Sequence, residues 1–198
     1  MRVRMMGSRW VAVAGCVLAA ALCAGCAGGR VLTVKKDLAA GAVTRSHVFL
    51  VKSFDIQDAV FTGDNSGNAA VVASQKQRIP TELTSVLVAE LSRAGLQAKA
   101  YSKDAAAGDS VVVDGVIPRV NHGSGFNRAF WGMGAGAAWM MADVKLYKPE
   151  TPAASLAEFR AEGTSGGRGG LLATGDFTST NILDLARSIA SYLTKRIQ

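Results

Sequence analysis

Ser165 stands in the run Gly163, Thr164, Ser165, Gly166, Gly167, which has the G-x-S-x-G spacing of a hydrolase nucleophile elbow. That elbow needs a histidine later in the chain and a helix directly after the serine. The chain has two histidines, His47 and His122, both upstream, and Ser165 runs straight into the glycine-rich "GGRGG". A hydrolase therefore remains a third choice. Metal chemistry has less to work with. Two isolated histidines and the single acid Asp64 in "DNSGN" offer neither a zinc triad nor a calcium loop. The run Arg128 to Met141, "RAFWGMGAGAAWMM", holds three alternate glycines, Gly132, Gly134 and Gly136, beside Trp131 and Trp139. A phosphate-binding loop would continue into Lys-Ser/Thr or a helix. This run continues into "AAWMMADVKLY", which reads as a strand. No nucleotide and no cofactor is expected.

Three uses of that run stay open. Its glycines can let the backbone bend while Trp and Met fill irregular core space. It can form a partner-binding surface centred on Arg128, Trp131, Gly132, Gly134, Gly136 and Trp139. Or residues 129–142, fourteen positions without a charge, can insert into a membrane as one tilted strand.

The N-terminus carries an address. "MRVRMMGSR" supplies three arginines, and Trp10 to Gly25 has no charge, the pattern of a secretory signal. Small residues precede Cys26, which resembles a bacterial lipobox, so residues 1–25 are expected as a lipoprotein signal peptide with Cys26 acylated. Cys23 stands where that motif usually has a branched aliphatic. "VAGC", ending at Cys16, fits the motif letter by letter but leaves too short an apolar run before it. An uncleaved anchor over Trp10 to Gly29 is the alternative. Ala27 and Gly28 come after Cys26 with no aspartate. By resemblance to lipoprotein sorting, this implies the outer membrane, with inner-membrane anchoring as the alternative.

Cys16, Cys23 and Cys26 are the only cysteines, so the exported domain is expected to have no disulfide. Removing Arg2, Arg4 and Arg9 from 22 basic residues leaves 19 against 15 acids, a mild +4. The basic residues are scattered, so no nucleic-acid partner is expected. The expected partners are the membrane, through acyl chains, and an envelope protein.

The elements that would position these residues can be read from periodicity. Strands are expected at His47–Ile56, Leu96–Ser102, Ser110–Val120, Ala138–Pro149 and Ser155–Ser165. Pro80–Ala94 reads as a helix, with proline in its first turn, Glu82 near its N-terminus and Gly95 as the stop. Asn181–Ile197 reads as a second helix capped by Thr180, burying Ile182, Ala186, Ile189 and Leu193. Residues 26–45 read as a lipidated N-terminus and linker, 58–77 as a loop, and 46–198 as one periplasmic domain. The expected fold is α+β, a mostly antiparallel sheet of about five strands with two amphipathic helices on one face.

The succession "VLVAELSRAGLQAKAY", "VVVDGVIPRV", "RAFWGMGAGAAWMMADVKLYKPETP" and "GTSGGRGG" resembles the bacterial lipoproteins grouped as domain of unknown function 4410, over roughly residues 45–198. The layout is also similar to the N-terminal domain of the Tol-system protein TolB and to the curli secretion lipoprotein, at the level of fold. The family brings no catalytic residues with it. The function expected is a non-enzymatic, lipid-anchored envelope protein that binds or assembles in the periplasm. The alternative is a subunit of a membrane-inserted oligomer that uses segment 129–142.

Overall fold

In the computed structural model, the residues described are 28–105, 109–124, 136–165 and 177–197. The strands are β1 Arg30–Lys36, β2 Val48–Val51, β3 Val60–Thr62, β4 Gln97–Ala100, β5 Ser110–Asn121, β6 Trp139–Tyr147 and β7 Ser155–Thr164. Helix α1 runs Ala69–Arg93, between β3 and β4, and helix α2 runs Phe177–Arg196. One sheet holds all seven strands in the order β1-β7-β6-β5-β2-β4, with β3 also beside β5.

The α+β class and the two long helices match expectation, but the sheet is mixed and larger than five strands. β2 is parallel to both β4 and β5, and β3 is parallel to β5. The cause is the connection through α1. A helical crossover brings the chain back in the same direction, which a tight hairpin cannot do. Antiparallel pairing is confined to β5-β6-β7-β1.

Three segments differ from expectation, the shortest being β3, Val60–Thr62, which lies within the residues 58–77 read as a loop and gains its order from β5. Residues 30–36, expected within the linker, are β1 and pair with β7 from Arg30↔Glu162 to Lys36↔Glu158. This edge strand buries too little to show a clear alternation. α1 begins eleven residues before Pro80, at Ala69, where Asn68 Oδ1 accepts from the Ala70 and Val71 amides at 3.1 and 3.2 Å. Proline inside a helix costs about 3 kcal/mol. Here Ile79 and Pro80 are themselves buried, so packing offsets that cost. The helix stops at Gly95, φ +81°, where the Leu96 amide reaches back to the Leu91 carbonyl. α2 likewise starts before the expected Thr180 cap, which lies within its first turn.

Both helices pack on one face of the sheet. Leu83, Leu87 and Leu91 of α1 and Ile182, Leu185, Ile189 and Leu193 of α2 join Phe49, Val51, Val113, Val144 and Phe159 in one core. The opposite face carries charges set in register. Lys145 pairs with Asp114 on one side and Glu158 on the other, and Glu158 faces Lys36. Lys52 completes the row through its bond to Asp114, 2.7 Å. Arg160 donates twice to Asp143, at 2.8 and 2.7 Å. Opposite charges paired across strands contribute roughly 0.2–1 kcal/mol each, so this ladder fixes register more than it supplies stability.

A clamp holds β1 to α2. Tyr192 Oη donates to Asp37 at 2.6 Å, and Arg196 donates to both Asp37 carboxylate oxygens. Arg196 first, then Tyr192, holds Asp37 at about 2, below its ordinary 3.8. Burial first, with the bond to Asp37, pushes Tyr192 up to about 12. A carboxylate whose pKa is lower in the folded state contributes its full stability above the unfolded value and loses it as pH falls through the folded one. The urea midpoint should therefore drop between about pH 4 and about pH 2, and Asp37→Asn should show a smaller drop. An equal drop in both proteins would exclude the clamp as a source of acid sensitivity.

Candidate functional site

The described residues next to 125–135 meet at a junction of three glycines. β3 ends at Thr62, β5 at Asn121, and Gly136 leads into β6. Gly63, Gly123 and Gly136 take φ of +82°, +74° and +74°. The Asp64 amide donates to the Gly123 carbonyl at 2.9 Å, and the Ser124 amide to the Gly136 carbonyl at 3.0 Å. A Cβ on Gly63 would lie 2.4 Å from the Gly123 carbonyl oxygen, and one on Gly123 would lie 2.3 Å from that of Gly136. Three backbones thus come together, and at Gly63 and Gly123 no side chain fits. Within the run, Gly136 has the positive φ that a backbone role for its glycines calls for. Gly132, Gly134, Arg128, Trp131 and Cys26 lie outside the described residues. Trp139 is half-buried, between buried Ala138 and Met140.

His122 braces this junction. Its Nδ1 donates to the Asp64 carbonyl at 2.7 Å, and Nε2 lies 2.6 Å from Gln75 Oε1 of α1. Both ring nitrogens are thereby engaged. His47 belongs to a different turn, with its Nδ1 2.9 Å from Thr44 Oγ1. Ser165 is buried, and its hydroxyl donates to the Ala138 carbonyl at 3.2 Å. The three residues that could have made a hydrolase site are each held by other partners. Among the described residues, no cluster of three or more His, Cys, Asp or Glu could hold a metal ion, and no helix is long and apolar enough to cross a membrane.

The same junction gathers other chain ends. The Ser165 amide donates to the Ala138 carbonyl, so residues 124, 136 and 165 stand together. Arg30, the first residue of β1, pairs with Glu162, which pairs with Met141. Met141 is two residues along β6 from Trp139, about 7 Å at strand rise. The entry of the chain into the sheet and the stems of both glycine-rich segments therefore share one end of the sheet. Gly63 and Gly123 are not singled out by the sequence. Their signals are the turn-rich "TGDNSG" and "NHGSG", but nothing in one dimension says that two such turns touch.

Residues 49–170 match the family described as Domain of unknown function (DUF4410), and the chain belongs to that family. No curated protein matches the chain. Among solved structures it is similar to a PelC dodecamer from Paraburkholderia phytofirmans, at 15% identity and a TM-score of 0.52, over 86% of this chain and 99% of that one. A variant of that dodecamer gives 15% identity and a TM-score of 0.48, over 86% and 98%. At such identity the first likeness shows a shared fold.

Proposed function

We propose that this protein is a lipid-anchored envelope protein of the outer membrane, non-enzymatic, whose domain binds or assembles in the periplasm. The observation that carries this reading is the gathering of chain entry and glycine-rich stems at one end of the sheet. Cys26 precedes Arg30 by four residues, at most about 14 Å of extended chain. An acylated Cys26 would hold that end of the domain close to the bilayer. Each buried CH₂ contributes about 0.8 kcal/mol, so several acyl chains give stable attachment. The engaged states of Ser165, His47 and His122 support a non-enzymatic role.

A second reading makes the protein a subunit of a membrane-inserted oligomer that uses segment 129–142, with the insert limited to its first part because Ala138, Met140 and Ala142 are buried in the domain. It is favoured by the same placement, which would turn the uncharged run toward the membrane. The dodecameric state of the PelC structure supports self-assembly within this fold. Metabolic labelling with a palmitate analogue tests the anchor. Wild type should incorporate label and Cys26→Ala should not. Equal labelling of the two would remove the lipid anchor from the proposal.

A further inference from the structure

Two glycines let α2 lie directly on backbone at one corner of the sheet. A Cβ on Gly163 of β7 would lie 2.1 Å from the Asn181 carbonyl oxygen and 2.5 Å from the Leu185 nitrogen. One on Gly29, the residue ahead of β1, would lie 2.0 Å from Ser188 Oγ, 2.2 Å from the Asp184 carbonyl oxygen and 2.5 Å from that of Glu162. The two carbonyls are backbone, one on the helix and one on β7, so no side-chain rotation makes room. Ser188 joins the same two elements, its hydroxyl donating to the Asp184 and Glu162 carbonyls at 2.8 and 3.2 Å. Gly29 thus sits in a slot between α2 and β7. Its neighbour Gly28 is exposed, with nothing within 4 Å of its Cβ position.

The slot is the first of two locks on β1. Arg30 follows it, in register with Glu162 and with its Nε 3.3 Å from the Glu162 carboxylate. Asp37, held by Tyr192 and Arg196, is the lock at the other end. Between them the strand is mostly exposed. A strand that buries so little opens at low cost unless its ends are held.

We infer that the Gly29 slot sets how far the domain stands from the membrane. This rests on the reading of Cys26 as the lipidated residue. Ala27 and Gly28 alone separate Cys26 from Gly29, a reach of at most about 11 Å. Were β1 free as far as Asp37, eleven residues on from Cys26, the reach would be about 40 Å. The slot therefore makes a short, fixed attachment of residues that read as a linker. It keeps the end of the sheet that carries the glycine junction against the lipid surface. Gly29 is a positioning residue, acting through β1 and touching no ligand itself.

The test uses the full chain, acylated and reconstituted in phosphatidylcholine vesicles. Trypsin is added, and cleavage after Arg30 is read from the mass of the domain freed from the vesicles. Wild type should be cut slowly, because the paired backbone of β1 has to open first. Gly29→Val should be cut roughly tenfold faster, the shift in open population that forced overpacking produces. Gly28→Val should match wild type. A dye on Gly67→Cys, exposed and open around its Cβ position, reads the stand-off by energy transfer to a headgroup-labelled acceptor lipid. A Gly-Ser insertion between Ala27 and Gly28 should lower that transfer and leave melting and cleavage unchanged. Equal cleavage of wild type and Gly29→Val would overturn the slot and leave the Cys26 anchor standing. If Gly29→Val does not fold, the insertion decides: lower transfer supports the inference, and unchanged transfer overturns it. A wild type that takes up no palmitate label would remove the anchor reading, and this inference with it.

Discussion

Replacing Gly123 by valine should destabilise the domain by about 4 kcal/mol. A left-handed backbone costs a branched residue roughly 1–3 kcal/mol, and forced overpacking adds about 1–3 more. Both apply at Gly123, with φ +74° and a Cβ position 2.3 Å from the Gly136 carbonyl oxygen and 2.9 Å from the Ala138 nitrogen. Those neighbours are backbone, so no side chain can swing aside. For a domain of this size the melting temperature should fall by about 10 °C. Gly41 is the control. Its φ is +76° but nothing lies within 4 Å of its Cβ position. Gly41→Ala therefore meets strain without collision and should cost about 1 kcal/mol. Melting of the three proteins by circular dichroism reads both effects. If the junction serves only a membrane insert, Gly123→Val should leave melting unchanged and abolish assembly, which would favour the second functional reading over a structural role.

Phe159→Ala should cost about 4 kcal/mol, within the range for emptying a buried aromatic site. Phe159 lies on the helix-facing side of β7, in register with Val144 and Val34, with its ring centroid 4.0 Å from that of Tyr192 on α2. Its removal leaves a cavity where α2 meets the sheet and loosens Tyr192, which holds Asp37. Leu32→Ala on the exposed edge should change stability by no more than about 0.5 kcal/mol. Urea unfolding of both variants gives the comparison. A Phe159→Ala loss below about 1 kcal/mol would mean that α2 does not depend on this contact.

Periodicity in the chain is enough to locate most of the elements. Alternation places β6 and β7 to within about two residues, because each buries one face and wets the other, while β5 shows as the apolar run Val111 to Val113, buried on both faces. Ala142, Val144 and Leu146 are buried as that pattern requires. The stripe Ile182, Ala186, Ile189 and Leu193 is buried along α2 for the same reason at helical spacing. The order of the residues is legible too, with both histidines ahead of Ser165 in the chain. Cys26 and the N-terminal address can be proposed from sequence because export signals are read as linear patterns.

Pairing is where the sequence stops. Strand direction depends on which neighbour a strand finds, and β2 finds β4 and β5 only after α1 has carried the chain across the sheet. β1 is hidden because an edge strand gains its order from β7, far along the chain, and not from its own burial. α1 absorbs Pro80 because tertiary packing outweighs a local propensity cost of about 3 kcal/mol. The glycine junction and the charge ladder each join residues far apart in the chain. Local composition limits what each segment can be, since its causes act within a few residues. Only the assembled sheet decides which segments touch, because that choice is made by burial shared among them.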